Sequence, residues 1–513
     1  MTFHRPAVAL AASLALVAGV AACNNNDITS INQNPNSPEN APAGAVFTNA
    51  VQNSVGRWLG STYDLRQLEF VVQHLAEVQY PDEDRYARIR ASDTQGSFTG
   101  AYNSSLEDFK QVQLKGVALK SPAVSAPASI MQQWEFGYLT DNWGAVPYSL
   151  ALKGDSGVVL PAYDAQKDIY AGMFAALTKA AADLATPGVQ SLGGADPIYG
   201  GSTSAWQKFA NSLRARDAMR ISYIDPATAN VELKAAFTGP GGVFSSNADN
   251  AQLAWPGDGV FNNPWSNNFQ TRDDHRLART FSDILAAGSD PRLAVFAMPT
   301  IDFSSGKAGA PQYAGQPNGL SAAAAGTYFT STSRPGAIFY PGATAYGTYG
   351  GNGAKQPSYL MTYAEVEFIK AEAAERGIGG LTPPQAAGFY NGGITASLKQ
   401  WSITDDAAIA AYLAQPSVAY VGGTAGLKQI ATQKWIALFT DGGQAWFEWR
   451  RTCTPSIAPG PAAIFSYVPR RLEYPTSEIS VNADNVNAAI TAQGADAMNT
   501  RTYWDTRTAP TCP

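Results

Sequence analysis

The sequence predicts a mainly α-helical fold: a scaffold of helix pairs, interrupted by one long loop-rich segment. Three observations predict it. Apolar residues recur near a 3.6-residue spacing in most stretches after Val46. Alanine fills close-packing positions in the runs at 171–185 and 363–377, and small side chains let paired helices approach as they do in helical-repeat proteins. Between about 237 and 358 the texture changes to Gly, Pro, Asn and aromatic residues with few helix-length patterns.

The chain has 513 residues, enough to bury a sizeable core. Charged residues make up only 15 %, and the net charge of −6 argues against a general nucleic-acid binder, which would carry a basic excess. Three His and three Cys offer few ligands for a zinc or iron enzyme, so no metal or cofactor is expected.

Residues 1–22 read as a signal peptide. His4 and Arg5 form a short basic region, and Ala7 to Ala22 is an apolar run too short for a spanning helix. The run ends in Val20-Ala21-Ala22-Cys23, a pattern similar to the lipobox of bacterial lipoproteins. That similarity implies diacylglyceryl attachment at Cys23, cleavage before it, and a chain anchored to the membrane rather than crossing it. Asn24 follows, which in enterobacterial lipoproteins implies the outer membrane. The mature chain keeps 34 basic against 41 acidic residues. Cys453 and Cys512 remain, and export permits a bridge between them without requiring one.

Residues 23–45 are rich in Asn, Pro and Ser and read as a tether; 46–513 is expected to form a single domain. Helices are expected at about 46–58, 64–79, 98–119 and 127–140, then 163–185 and 203–222. A further set is expected at 361–376, 384–400, 426–438 and 441–450. A scaffold of this kind is tetratricopeptide-like, although no clean 34-residue repeat can be read. Within 237–358 short strands are expected, for instance at Ala337–Tyr340.

Several motifs could carry chemistry. Gly154-Asp155-Ser156-Gly157 copies the heart of a serine-protease site, but the helical setting favours a plain Gly-rich turn. Gly347 to Gly353 lacks the Lys-Ser/Thr of a phosphate loop. Asp82, Glu83 and Asp84 could meet Ca²⁺ through oxygen, but a solvated surface turn suits them better. His74 and His275 read as structural. The aromatic excess says more. Trp58, Tyr63, Tyr80, Tyr102, Trp255, Phe261, Trp265, Phe269 and Tyr328 lie in or near irregular segments. Exposed rings of this kind stack on sugars or pack on peptide side chains. The segment Phe261–Arg272, with Asn262, Asn263, Asn267 and Asn268, is the favoured site. The candidate ligand residues are Tyr63, Tyr80, Phe261, Trp265, Phe269, Asn267, Arg272 and Asp273.

The motif order resembles a known family. Asp141-Asn142-Trp143-Gly144-Ala145-Val146-Pro147-Tyr148 resembles the D-x-W-G-x-V-P-Y signature of SusD/RagB-like outer-membrane lipoproteins. Asp196-Pro197-Ile198-Tyr199-Gly200-Gly201, Trp206 to Arg214, Asp290-Pro291-Arg292-Leu293 and Tyr313 to Gly319 follow in order. Gln433 to Phe439, Glu448-Trp449-Arg450-Arg451, Pro469-Arg470-Arg471 and Tyr474-Pro475 close the series. Asn32-Gln33-Asn34-Pro35-Asn36 is most similar to the SusD-like branch. The resemblance implies a tetratricopeptide-like fold and a non-catalytic outer-membrane protein. Such a protein would bind glycans and deliver them to a SusC-like TonB-dependent transporter. A peptide ligand in the same role, a surface glycoside hydrolase and a purely structural partner are the competing readings. One departure is Ala145, where family members often carry Asp. The motifs read as scaffold: Trp143 as an apolar anchor, Gly144 for an unusual backbone angle or close approach, Pro147 to end the helix, and Arg450 and Arg451 as ion-pair formers.

Overall fold

Helices form where the apolar stripe is continuous and a cap stands at its head. The computed structural model describes residues 41–506 apart from 187 and 189. The signal segment, the lipidation residue Cys23, most of the tether and Cys512 lie outside the described residues. Cys453 is disulfide-bonded. The first helix, α1 (Ala43–Trp58), takes in the last residues assigned to the tether. A continuous block follows: α2 (Ala91–Gly100), a π-helical turn at Ala101–Ser105, α3 (Leu106–Ala118), α4 (Pro122–Trp143), α5 (Gln166–Asp183), α6 (Thr203–Ile221) and α7 (Pro226–Thr238). From α3 to α7 each helix packs against its neighbour in sequence. This is the expected tetratricopeptide-like stacking.

A second block holds α8 (Tyr363–Glu375), α9 (Ala386–Gln400), α10 (Asp406–Leu413), α11 (Gly423–Ala437) and α12 (Gly442–Thr452), and α13 (Thr476–Val481) and α14 (Ala483–Gln493) close the chain. Side chains cap the helix starts: Asp225 accepts from the Thr228 N–H at 3.1 Å, Thr362 from Glu365 at 3.2 Å and Asp441 from Gln444 at 3.0 Å. Helices α7, α10 and α14 were not expected. Only Ala229, Leu233 and Ala236 of α7 and Ile409 and Tyr412 of α10 are buried, too few to print a stripe.

Two expectations are corrected. The helix at 64–79 is instead a π-helical segment at Ser61–Leu68, one short turn, and strand β1 (Leu75–Glu77). Gln73 takes φ 58°, which breaks the helix, and β1 is buried at every position, so no alternation announced it. The strand expected at Ala337–Tyr340 is a 3₁₀ turn at Ala337–Phe339.

Two antiparallel ribbons tie the loop-rich segment to the scaffold. Strand β2 (Ala251–Leu253) pairs with β4 (Ser358–Met361), which joins the two ends of the segment. Strand β3 (His275–Leu277) pairs with β1 in the register Leu75↔Leu277 and Glu77↔His275. The second ribbon brings the N-terminal part of the chain against the insertion.

The signature motifs are scaffold parts. Asp141 accepts from Tyr170 Oη at 2.6 Å and Trp504 Nε1 at 2.7 Å, and Asp196 from Trp206 Nε1 at 2.7 Å. Gly144 has φ 82°, and a Cβ there would stand 1.9 Å from Gln493 Oε1. That oxygen accepts from the Ala145 N–H at 2.7 Å, while Gln493 Nε2 donates to the Trp143 carbonyl at 3.0 Å. Ala145 thus works through its backbone, whose carbonyl also accepts from Tyr474 at 2.7 Å, so the missing Asp leaves the joint intact. Gly144→Ala is expected to destabilise by about 1–3 kcal/mol, seen as a lower urea midpoint. Arg451 forms the expected ion pairs, at 2.7 Å to Glu448 and to Glu372. Arg450 does something different: it donates to the carbonyls of Asp141 and Arg470 and lies over Trp446 and Trp504, 4.1 and 4.4 Å from their centroids.

Candidate functional site

The ladder between β1 and β3 extends one step further, with the Val78 N–H donating to the Asp274 carbonyl at 2.8 Å. Past that point the two strands part. Tyr80 leaves one side with φ 55°, and Arg272 sits on the other. The space between them is an open cleft of about 520 Å³. It is lined by Thr62, Arg66 and Gln67 of the π-helical segment, by Tyr80, Asp82, Glu83 and Arg88 of the loop after β1, by Asp93 of α2, and by Arg272. Gln67 Nε2 fixes the rim by donating to the Arg88 carbonyl at 2.9 Å.

The ring of Tyr80 is 73 % exposed, the highest value among the large exposed aromatics. The Arg272 guanidinium lies 5.7 Å from its centroid and supports it from one side. Arg272 is held in turn by Glu77 at 3.0 Å and by Asp274. Glu83 pairs with Arg66. Burial, together with Glu83 and Asp274, pushes the Glu77 carboxyl up to about 11, against the pull of Arg272. Asp274 pays the same desolvation penalty, but His275 and Arg272 outweigh it and hold that carboxyl below its ordinary range.

The sequence candidates separate cleanly. Tyr80 and Arg272 meet at the cleft. Phe261 is 45 % exposed and Asn267 is exposed, but both stand on the loop and short helix near Pro264–Phe269, away from the cleft lining. Asp273 turns from its neighbour Arg272 and pairs with Arg334. Tyr63, Trp265 and Phe269 are core. Tyr63 donates to Asn142 at 3.0 Å, Trp265 donates to Asp64 at 3.1 Å, and Phe269 stacks on Tyr340 at 4.4 Å. No ligand can reach those three rings in this conformation.

The acidic triplet also differs from a solvated turn. Asp82 is exposed and pairs with Arg85 at 3.4 Å, Glu83 is buried against Arg66, and Asp84 is buried and accepts from Asn318 at 2.7 Å. The three carboxylates face three different partners and converge on no common point. Among the described residues no group of three or more His, Cys, Asp or Glu is arranged to hold a metal ion. Gly154–Ser156 is an exposed 3₁₀ turn whose Asp155 pairs with Lys110 at 3.1 Å.

His74 is buried and structural. Its Nε2 lies 3.0 Å from the Trp435 carbonyl and its Nδ1 2.8 Å from Glu69. A carbonyl only accepts, so Nε2 carries the hydrogen, Nδ1 accepts, and Glu69 supplies the proton between them. This fits a Glu69 carboxyl that burial holds well above its usual range. Burial pushes the imidazole down to about 3. An unfolded His takes up a proton near pH 6.5 while the folded one refuses it until about 3, so this contribution is complete above pH 6.5 and is lost as pH falls. Relative to His74→Gln, the wild-type protein is expected to lose about 1.4 kcal/mol per pH unit between 6 and 4 in urea unfolding.

A second cavity of about 490 Å³ lies beside Met298, Ile338, Trp401 and Ile403. Trp401 is buried there, so that cavity offers no open aromatic face. The Tyr80–Arg272 cleft is the candidate site.

Residues 35–475 match the family model SusD-like_2, described as starch-binding and associating with the outer membrane. The chain belongs to the SusD-like family. Among solved structures a chitin-binding protein shares 26 % identity at a TM-score of 0.75, covering 91 % of this chain and 100 % of that one. A SusD homologue from Bacteroides fragilis NCTC 9343 gives the same identity, score and coverage. A chitin-binding SusD homologue from Flavobacterium johnsoniae has 23 % identity and a TM-score of 0.75, over 90 % of this chain and 99 % of that one, which shows the shared fold. No curated protein matches the chain. The SusD-like fold is thus confirmed, and no helix among the described residues is long and apolar enough to cross a membrane.

Proposed function

We propose that this SusD-like protein is a non-catalytic, lipid-anchored binding protein at the outer membrane. It takes a glycan into the Tyr80–Arg272 cleft and delivers it to a SusC-like TonB-dependent transporter. The observation that carries the reading is the exposed Tyr80 ring, backed by Arg272 in a polar cleft of about 520 Å³. A flat apolar face with hydrogen-bonding groups around it matches the alternating faces and hydroxyls of a sugar ring. Membership of a family described as starch-binding, and a chitin-binding relative at 26 % identity, support the glycan assignment. The lipobox at Cys23 supports the anchor.

One observation favours a second ligand class. Arg66, Arg88 and Arg272 face the same space as Asp82 and Asp93, and such a mixture would also meet the two termini of a short peptide. Calorimetric titration with chitooligosaccharides, malto-oligosaccharides and oligopeptides separates the two. Heat with saccharides and intact recovery of the titrant are expected. Heat with peptides alone would replace the glycan reading, and cleaved titrant would replace the binding role with an enzymatic one. Extraction of the outer membrane in mild detergent is expected to bring down a TonB-dependent barrel with the lipoprotein; its absence from the isolated complex would contradict the delivery step.

A further inference from the structure

The lining carries three arginines and three carboxylates, yet one of the arginines has no partner, and that is informative about the ligand. Each acid of the lining is already engaged. Glu83 pairs with Arg66, Asp82 with Arg85 at 3.4 Å, and Asp93 accepts from the Arg90 N–H at 3.2 Å at the head of α2. Arg272, also in the lining, is neutralised by Asp274, with Glu77 beside it at 3.0 Å. Arg88 is the exception. Its carbonyl is held by Gln67, yet its side chain is exposed and has no ion pair or hydrogen bond among the described residues. It borders the same cleft as Tyr80. The cleft thus presents one unpaired guanidinium along with its exposed aromatic platform.

We infer that the cleft selects an acidic saccharide, one whose ring packs on Tyr80 while a uronate carboxylate meets Arg88. The guanidinium is a planar fork of N–H donors that matches a carboxylate in a bidentate pair, and a neutral hydroxyl uses only part of it. Gln67 fixes the backbone of Arg88 at the edge of the cleft.

This inference rests on the glycan reading above, and the experiment separates the two. Trigalacturonate and its fully methyl-esterified form present the same rings with and without charge. Titration of the full-length protein at low salt is expected to give about tenfold tighter binding of the acid than of the ester. Raising the salt to 0.5 M should erode that preference. Arg88→Gln should bring the acid down to the affinity of the ester, while Tyr80→Ala weakens both forms together. Arg88 is exposed, so the variant is expected to fold as the wild type does. Equal affinity for acid and ester, or a preference that survives Arg88→Gln, overturns the acidic-ligand inference and leaves the glycan reading standing if neutral saccharides bind. A sulfated chondroitin oligosaccharide bound tighter than trigalacturonate would assign the anion site to sulfate esters instead. Failure of every saccharide to bind overturns both.

Discussion

Replacing Arg451 with methionine is expected to destabilise the fold by about 3 kcal/mol or more, measured by urea unfolding. Arg451 is fully buried and bridges two helices, lying 2.7 Å from Glu448 on its own helix α12 and 2.7 Å from Glu372 on α8. Its removal leaves two buried carboxylates short of a cation. Glu448 keeps Arg220 at 2.9 Å and Lys434 at 3.3 Å, and Glu372 keeps Arg376 at 3.0 Å, which sets the cost at the lower end for a broken buried pair. A double variant, Arg451→Met with Glu372→Met, should recover part of the loss, because it removes the orphaned charge as well as its partner. Despite the desolvation of burial, Arg451 and the other cations hold both carboxyls below their ordinary range. Their contribution is therefore complete above about pH 4.5 and declines as pH falls below it. The penalty of Arg451→Met is expected to shrink in that acidic window.

Trp143→Ala is expected to cost about 3–5 kcal/mol, with Trp143→Phe costing visibly less. The indole is fully buried, edge-on to Phe98 at 5.1 Å and to Trp58 at 6.4 Å, and its Nε1 donates to the Glu473 carbonyl at 2.8 Å. It joins the end of α4 to the C-terminal part of the chain. Both variants lose the bond to the half-buried carbonyl, but alanine also opens a cavity, whereas phenylalanine keeps most of the volume. Equal unfolding midpoints for Ala and Phe would show that the site collapses around the gap.

The scaffold was legible because its helices carry their own evidence. Ile169, Tyr170, Phe174 and Leu177 of α5 and Trp206, Phe209 and Leu213 of α6 all face the core at helical spacing. The site was only half legible. Tyr80 and Arg272 could be named one at a time as residues able to meet a ligand, but their meeting depends on the β1–β3 ribbon, a pairing of two three-residue strands far apart in sequence. No local pattern encodes such a contact. Arg66 and Arg88 come from the same 62–93 segment as Tyr80 but carry no local pattern that marks them as cleft residues, and they were missed. Trp265 and Phe269 misled for a different reason. Their polar neighbours suggested a solvated loop, but the loop folds inward and gives Trp265 a carboxylate partner in Asp64 and Phe269 a stacked partner in Tyr340. Local composition reports the wetness of a segment, not the side to which each ring turns.

On the proposed reading, ligand is held at Tyr80, not on the aromatic segment 261–269. Titration of the saccharide that binds best against wild type, Tyr80→Ala and Phe261→Ala tests this most directly. Tyr80→Ala is expected to weaken binding about tenfold with its unfolding midpoint unchanged, while Phe261→Ala binds as the wild type does. Full affinity in Tyr80→Ala together with a loss in Phe261→Ala would contradict it.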